Sequence, residues 1–373
     1  MKRASLFPLL WALLCVVCLS CEKKVPTPLP EEEGISDYPT ILVLFPPNGP
    51  GDNGYLDKVM SAVAQFSIAH PGVVRIVQTT ETNIDESWGK YLLPMVDGVT
   101  MDEAQVDTTL AIFVGTEFKE ILYQSEAPEG KLKVLLIEDD GVGAPEWLHT
   151  AKVERYGASY LAGAMVAQQR AIIIAAMPGE PVLDRSMEGF IQGYGSIKGR
   201  EVDSVYYLAD NFKGFTMQSR ARAIVDSIQQ NDSRHYYTVF PLAGAANTGV
   251  YNGLYSETYM QAIGMDKDCS PLSDNIPFSM IVGIDLLVQD CMEQWHTTQQ
   301  LPKRRVEGLG SKYVDFTFNE MWNSIGLFFD WEDENQVWDE GDWENVMTSE
   351  FWKKRYALFI DKAMEEEKKY AND

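Results

Sequence analysis

Short apolar runs that alternate with helical patterns constrain the fold of this 373-residue chain most strongly. The first run, Ile41–Phe45, is followed by a Gly/Pro-rich turn and then by apolar residues at helical spacing from Val59 to Phe66. Pro46 ends the strand because proline has no N–H to donate to a sheet. Repeated units of this kind predict an α/β fold with parallel sheets that helices cover on both faces. In such folds ligands bind at the carboxyl ends of the strands.

The same periodicity predicts two doubly wound units in tandem. Together with the N-terminal export signal described below, this suggests a two-lobed binding protein with a ligand cleft. The predicted strands are Ile41–Phe45, Val73–Thr80, Leu110–Gly115, Lys133–Asp139, Ala171–Met177, Val202–Leu208, Tyr236–Ala243, Tyr259–Met265 and Tyr313–Phe318. The predicted helices are Ser87–Val96, Phe118–Gln124, Tyr156–Gln169, Asp184–Ile197, Gln218–Gln229, one starting at Val250, Ser279–Trp295 and Glu350–Tyr370.

The first turn allows three interpretations. Asp52, Asn53 and Tyr55 would place acceptors, an amide and an aromatic ring at a ligand site. The spacing of the three glycines between positions 49 and 54 also spells the G-x-G-x-x-G dinucleotide fingerprint, but Asp52 would then face the pyrophosphate. The third interpretation is an ordinary turn in which Asp52 caps the following helix.

The N-terminus resembles a bacterial lipoprotein signal. Met1–Ser20 has a basic start and an apolar core, and Leu19-Ser20-Cys21 is a lipobox-like end with Cys21 as the lipidated residue. Ordinary secretion without lipidation is the alternative. Residues 22–38 are a polar, Pro-rich tether. We therefore expect a protein of the cell envelope, lipid-anchored at the periplasmic or outer-membrane face.

Composition narrows the function classes. The net charge of −24 argues against binding to nucleic acid, since no basic patch is present. Cys269 and Cys291 could form one disulfide or remain semi-buried thiols. The four histidines are scattered and show no metal-site spacing, so we expect no enzyme activity, no metal and no cofactor.

Several motifs resemble, in order and spacing over residues 41–315, the basic membrane protein (PnrA-like) family of nucleoside-binding lipoproteins. The matching segments are Asp52-Asn53-Gly54-Tyr55-Leu56, Leu135-Leu136-Ile137-Glu138, Ser159-Tyr160-Leu161-Ala162-Gly163, Phe190-Ile191-Gln192-Gly193-Tyr194, Ala243-Gly244-Ala245-Ala246-Asn247-Thr248-Gly249-Val250, Ile263-Gly264-Met265-Asp266-Lys267-Asp268-Cys269 and Ser279-Met280-Ile281-Val282-Gly283-Ile284-Asp285.

The resemblance implies a type I periplasmic binding protein fold, with two parallel-sheet lobes joined by a hinge. Lobe 1 is expected at 39–154 plus 267–312, and lobe 2 at 155–266 plus 313–373. The hinge crossings are expected near Glu154–Tyr156, Met265–Lys267 and Gly310–Tyr313. The implied function is capture of a purine nucleoside-like molecule for an ABC permease.

The resemblance also implies roles for individual residues. Tyr55 would stack on a base and Phe212 on its other face. The expected hydrogen-bonding residues are Asp52, Glu138 or Asp139, the loop around Gly244, and Asp266 for ribose hydroxyls. At three positions the sequence departs from the family, which has Asn, Lys and Gln where this chain has Leu56, Val282 and Cys269. At least two polar contacts to a nucleoside are therefore missing.

A second hypothesis is a structural or interaction lipoprotein that keeps the fold without transport. Residues 319–355 form an acidic extension with tryptophans at 322, 331, 338, 343 and 352, which would cap the second lobe or contact a partner or glycan. Ser349 is a candidate N-cap for the final helix. An envelope hydrolase is a third and weaker hypothesis.

Overall fold

A computed structural model describes residues 41–47, 49–52, 54–78, 110–128, 132–167, 169–197, 199–231, 237–254, 260–320 and 349–371. All of them belong to the compact unit Tyr38–Asp373. The signal segment, Cys21, the tether, Asn53, the predicted helix Ser87–Val96 and four of the five tryptophans of the acidic extension lie outside the described residues.

The first sheet contains six parallel strands. In chain order they are β1 (Ile41–Phe45), β2 (Val74–Gln78), β3 (Leu110–Val114), β4 (Lys133–Ile137), β5 (Leu148–Val153) and β12 (Arg304–Glu307). Their spatial order is β12-β5-β4-β3-β1-β2. Side chains alternate between two buried faces: Val43 belongs to one apolar cluster, whereas its neighbours Leu42 and Leu44 belong to another. Burial on both faces explains the near-continuous apolar runs in the sequence.

The second sheet contains four parallel strands in the order β7-β6-β8-β9. Their bounds are β6 (Arg170–Ala175), β7 (Ser204–Tyr207), β8 (Tyr237–Leu242) and β9 (Met260–Ala262). A third sheet joins β10 (Gly264–Asp266), β11 (Phe278–Val282) and β13 (Val314–Phe318), with β13 antiparallel to β11. Strand β11 lies in the range expected for lobe 1, but in this sheet it pairs with two strands from the ranges expected for lobe 2. The lobe boundaries themselves stay a prediction.

The described helices cover these sheets. They are α1 (Tyr55–Ala69), α2 (Lys119–Gln124), α3 (Tyr156–Val166), α4 (Pro181–Gly195), α5 (Gln218–Asn231), α6 (Asn247–Gly253), α7 (Ile284–Thr298) and α8 (Ser349–Tyr370). Helix α7 packs on α1, and α8 packs on α3. No helix among the described residues is both long and apolar enough to span a membrane.

Helices α3 and α4 approach each other closely through glycines. A Cβ atom added at Gly163 would lie 2.2 Å from the Phe190 carbonyl oxygen, and one at Gly193 would lie 1.9 Å from that of Tyr160. Two of the motifs that carry the family resemblance therefore form one helix–helix contact. Tyr160 is buried in this core.

The predicted helix Ser279–Trp295 is wrong at its start. Residues Phe278–Val282 form strand β11, and the helix begins only at Ile284, after Gly283. A short apolar run does not distinguish a buried strand from a helix, and here pairing with β10 and β13 decides it.

Other boundaries also differ from the sequence prediction. Strands β5 and β12 were not predicted, because buried Thr150 and Lys152 interrupt the apolar pattern of β5 and charged residues dominate β12. The predicted strand Tyr259–Met265 is broken at Ile263 into β9 and β10.

The cysteines and the final helix resolve two open points. Cys269 and Cys291 are separate, buried free thiols, so they form no disulfide. Ser349 is the first residue of α8, and its hydroxyl donates to Glu320 Oε2 at 2.8 Å. Trp352, from the acidic extension, is fully buried and packs against Phe278.

Candidate ligand-binding site

A cavity of about 210 Å³ lies where strand ends of the two larger sheets and β10 converge. Its walls come from residues at or just after the carboxyl ends of β1, β3, β4, β5, β6, β7, β8 and β10. This is the position at which open α/β sheets bind ligands. Its polar and aromatic lining residues are Asp52, Tyr55, Thr116, Glu117, Glu138, Arg155, Glu180, Ser186, Phe212, Phe215, Thr216, Asn247 and Asp266.

Asp52 caps helix α1 at one wall of the cavity. Its Oδ1 accepts hydrogen bonds from the backbone N–H groups of Gly54 (2.9 Å) and Asp57 (3.1 Å), and its Oδ2 accepts one from Leu56 (2.8 Å). The helix-cap interpretation of Asp52 is therefore confirmed, although the residue also lines the cavity. The same bonds hold Tyr55, the first residue of α1, at the cavity wall.

The hydroxyl oxygen of Tyr55 is buried and has no hydrogen-bond partner among the described residues. Burial, followed by the repulsion of the Glu138 carboxylate, raises the pKa of this hydroxyl well above its ordinary value. The group therefore stays a neutral donor. A buried donor without a partner is costly, so this oxygen marks a place where a ligand would supply the missing bond.

Glu138 and Arg155 form a buried bidentate ion pair beside Tyr55. Arg155 Nη1 lies 2.6 Å from Glu138 Oε2, and Nη2 lies 2.9 Å from Oε1. The fork geometry matches a carboxylate with two parallel bonds. Glu138 has a backbone φ angle of +70°, which residues other than glycine rarely adopt. Strain of this kind concentrates at functional sites.

Asp266 ends β10 with a φ of +67°. Burial raises the pKa of its carboxyl, and the nearby Asp52 adds to this, whereas Arg155 opposes it. The Lys58 ammonium donates to the backbone oxygens of Asp266 (3.0 Å) and Val282 (2.6 Å) and pairs with Asp285 at 3.1 Å. Lys58 thus ties α1 to the ends of β10 and β11 while lying outside the cavity lining.

Glu117 and Glu180 bring two further carboxyl groups into the cavity. Burial, with repulsion from Glu180, raises the pKa of Glu117 to about 7. The pKa of Glu180 is also raised by burial. Glu180 caps α4 by accepting the Leu183 N–H at 2.8 Å, and its other oxygen accepts the Thr116 hydroxyl at 2.8 Å. This last bond links the end of β3 in the first sheet to the helix that follows β6 in the second.

Two phenylalanines complete the apolar side of the cavity. The rings of Phe212 and Phe215 lie nearly parallel, with centroids 6.1 Å apart. Gly244 has a φ of +53°, and a Cβ there would lie 3.0 Å from the Phe215 ring, so glycine leaves room for that ring.

The cavity gathers six of the eight residues that the sequence analysis predicted as ligand-binding: Asp52, Tyr55, Glu138, Phe212, Gly244 and Asp266. Asp139 lies elsewhere, since its buried carboxylate contacts Lys119 at 2.6 Å and accepts hydrogen bonds from Tyr123 and from the Gly141 N–H. The eighth residue, Asn53, is outside the described residues.

Sequence reasoning did not assign Glu117, Arg155 or Glu180 to the site. The only signal for Glu117 was its place directly after a predicted strand, in Gly115-Thr116-Glu117. Arg155 follows β5, which was not predicted, and Glu180 follows β6 in the other sheet, so their approach depends on how the sheets face each other. Within the ranges that the structure covers, no group of three or more His, Cys, Asp or Glu is placed to hold a metal ion.

No sequence profile of a known family matches the chain, and no curated protein matches its sequence. Solved structures do match its fold. An ABC transporter solute-binding protein from Aeropyrum pernix K1 is 17% identical, with a TM-score of 0.60 over 87% of this chain and 86% of that chain. The chain has a type I periplasmic binding protein fold.

Two other solved structures have the same architecture. A transcriptional activator of the comK gene from Bacillus halodurans is 16% identical, with a TM-score of 0.58 over 86% of this chain and 97% of that chain. A periplasmic solute-binding protein from Actinobacillus succinogenes 130z with bound D-allose is 12% identical, with a TM-score of 0.55 over 75% and 98% of the two chains. At these identities the likeness concerns the fold, and function has to be argued from the site.

Proposed function

We propose that this protein is a solute-binding protein that captures a small molecule in the cavity at the strand ends. The observation that carries the proposal is the buried, unpartnered Tyr55 hydroxyl in a cavity of about 210 Å³. A concave site with apolar walls and a few convergent polar groups is typical of small-molecule binding. Several neighbours in fold are described as solute- or sugar-binding proteins of ABC transporters, which supports the same function class.

For the ligand we propose a nucleoside-like molecule, in line with the family resemblance. Tyr55 and the Phe212–Phe215 pair provide aromatic faces, and stacking contributes about 1–3 kcal/mol per base. Asp266 and Glu117 provide acceptors for ring N–H groups or hydroxyls. Leu56 lines the cavity with an apolar side chain where the family has an amide, so we expect contacts that differ from those of a family member.

The proposal includes attachment by a lipid on Cys21 at the bacterial envelope and delivery to an ABC permease. Closure would take place about crossings near Glu154–Tyr156, Met265–Lys267 and Gly310–Tyr313. Two of these crossings contain a cavity residue, because Arg155 and Asp266 both line the cavity. A ligand that contacts either residue would therefore contact a hinge crossing directly.

Native mass spectrometry of protein taken directly from its expression host tests the proposal. A bound mass that matches a nucleoside supports both the class and the ligand. A different small mass keeps the class and replaces the ligand. A clean apo mass, with no thermal shift across nucleosides, bases and sugars at tens of micromolar protein, would contradict the proposal and favour the interaction-lipoprotein hypothesis.

A further inference from the structure

The cavity is rich in hydrogen-bond acceptors, and its acidic side chains outnumber its basic ones. Five carboxyl groups line it, from Asp52, Glu117, Glu138, Glu180 and Asp266. Against these five, the lining residues contain a single basic side chain, the guanidinium already paired with Glu138. Ion pairing inside the protein therefore neutralises only one of the five acids.

Backbone or side-chain donors of the protein already occupy three of these five carboxyl groups. Asp52 accepts three backbone N–H groups, Glu138 accepts the guanidinium, and Glu180 accepts one hydroxyl and one backbone N–H. Within the described residues, no other residue donates a hydrogen bond to the carboxyl oxygens of Glu117 or Asp266. Both remain available to a ligand.

Most side-chain donors of the lining are already used inside the protein. The Thr116 hydroxyl donates to Glu180, and Arg155 donates to a carboxylate and to a backbone oxygen. The hydroxyls of Ser186 and Thr216 donate to backbone oxygens of their own helical turns, at 2.8 Å and 3.0 Å. The Tyr55 hydroxyl is a donor that has no acceptor in the described residues.

This imbalance selects against a neutral polyol. Each hydroxyl of a sugar both donates and accepts, so a sugar or nucleoside buried here would find few free side-chain donors for its oxygens. An unpaired buried acceptor costs about 1–3 kcal/mol. A group with several N–H donors and a positive charge needs only acceptors, and charge-assisted bonds to carboxylates are the stronger kind.

We infer that the cavity takes a small organic cation, whose protonated amine, amidine or guanidine is matched by the carboxyl groups of Glu117 and Asp266. The apolar or aromatic part of this ligand lies against Tyr55, Phe212 and Phe215, and the aromatic faces add a favourable interaction with the charge. This inference rests on the proposed function, because it names the charge class of the captured solute. A nucleoside carrying an amino group satisfies both proposals.

Burial of the acids agrees with this assignment. The carboxyl groups of Glu117 and Asp266 have pKa values above their ordinary range, as expected for acids in a desolvated site that form no ion pair among the described residues. A bound cation would supply that counter-charge and favour the ionised forms.

Matched pairs of probes test the inference by isothermal titration calorimetry. One pair is 5′-amino-5′-deoxyadenosine and adenosine, and the other is tyramine and the corresponding alcohol, tyrosol. Each pair differs in one amine against one hydroxyl. We expect the amine to bind about tenfold to a hundredfold more tightly in at least one pair at pH 8.

Charge-neutralising variants locate the effect. In Glu117→Gln or Asp266→Asn the preference for the amine should shrink to within about threefold, whereas the exposed neighbours Glu120→Gln and Asp268→Asn should keep it. Two variants are used so that misfolding of one leaves the other informative, and a thermal melt checks both. Preserved preference in both site variants would overturn the assignment of these two residues.

The outcomes separate the inference from the function on which it rests. Equal or tighter binding of the neutral member of a pair overturns the cation inference and leaves the solute-binding proposal standing. Failure of all four probes to bind overturns the cation inference for this cavity. The solute-binding proposal falls only if, in addition, the protein carries no bound mass and shows no thermal shift with nucleosides, bases or sugars.

Discussion

The carboxylate of Glu367 accepts a hydrogen bond from the backbone N–H of Gly157 at 2.8 Å. Its other oxygen accepts the N–H of Leu309, also at 2.8 Å. One side chain of the C-terminal helix therefore joins the first turn of α3, directly after one proposed hinge crossing, to a segment just before another. Helix α8 thus links two of the segments that connect one sheet to another.

Glu367 should make stability depend on pH. Burial, with repulsion from Glu154, raises the pKa of its carboxyl from 4.5 to about 7. Between these values the folded protein binds more protons than the unfolded chain, so stability should fall as pH rises from about 4.5 to about 7. Glu367→Gln should remove about 1–2 kcal/mol of this fall, measured by urea unfolding at pH 5 and pH 8. Glu366→Gln, paired with Lys369 on the surface, is the matched control. An unchanged pH slope in Glu367→Gln would contradict the assignment.

Ligand binding should release protons if the ligand is a cation. Glu117, with a pKa of about 7, is partly protonated near neutrality, and a cation stabilises its ionised form. Affinity for 5′-amino-5′-deoxyadenosine should therefore rise from pH 6 to pH 8. The other charged and titratable groups that face this cavity besides Asp52 are Glu180, Glu138, Arg155 and Asp266. Titrations in buffers of different ionisation enthalpy measure the protons released. Glu117→Gln should reduce that number, and proton uptake in the wild type would contradict the prediction.

Tyr55→Phe should affect stability and binding in opposite directions. The hydroxyl has no partner among the described residues, so its removal should leave the apo protein equally stable or more stable by about 1 kcal/mol. If the ligand supplies the missing acceptor, affinity should drop about tenfold. Thermal melts of the apo protein and calorimetric titrations give the two numbers. A destabilised apo variant would show that the hydroxyl has a structural partner.

The contact between α3 and α4 should tolerate no added methyl group. Gly163→Ala would place Cβ 2.2 Å from the Phe190 carbonyl oxygen, and backbone atoms cannot move aside as a side chain can. We expect a loss of about 2–4 kcal/mol, measured by chemical unfolding. Gly195→Ala in α4 is the control, since its Cβ would lie 3.2 Å from the nearest backbone oxygen. Equal stability of the two variants would contradict this packing.

The elements that sequence predicted well are those whose side chains face apolar surroundings on both sides. The run Ile41–Phe45 was found with its exact bounds because every residue in it is buried. Strand β5 was missed because Lys152 is buried in it and is neutralised by Glu154 at 2.5 Å, a pairing that no local pattern reveals. Strand β11 was taken for the start of a helix because a short apolar run does not reveal its pairing with β10 and β13.

The residues of the candidate site also fall into those that the sequence could place and those that it could not. Asp266 directly follows a predicted strand, Glu138 lies at the end of one, and Asp52 lies in the turn after another, so the rule that ligands lie at strand ends could place them. Glu180 enters through a hydrogen bond with Thr116, 64 positions earlier, which depends on how the sheets face each other. The charge balance of the cavity depends on such long-range neighbours and was therefore not predictable from the sequence.

The positive φ angle of Asp266 has a consequence for protein engineering and for sequence drift. Glycine at this position would relax the backbone and remove an acidic group from the cavity in the same step. Glycine at Glu138, which also has a positive φ, would instead leave the buried Arg155 guanidinium without its partner. Selection for thermostability alone would therefore favour loss of the acid at position 266 but not at position 138, so retention of Asp266 would indicate continued selection on the ligand. Laboratory evolution without ligand should accumulate glycine, or asparagine, at position 266 first.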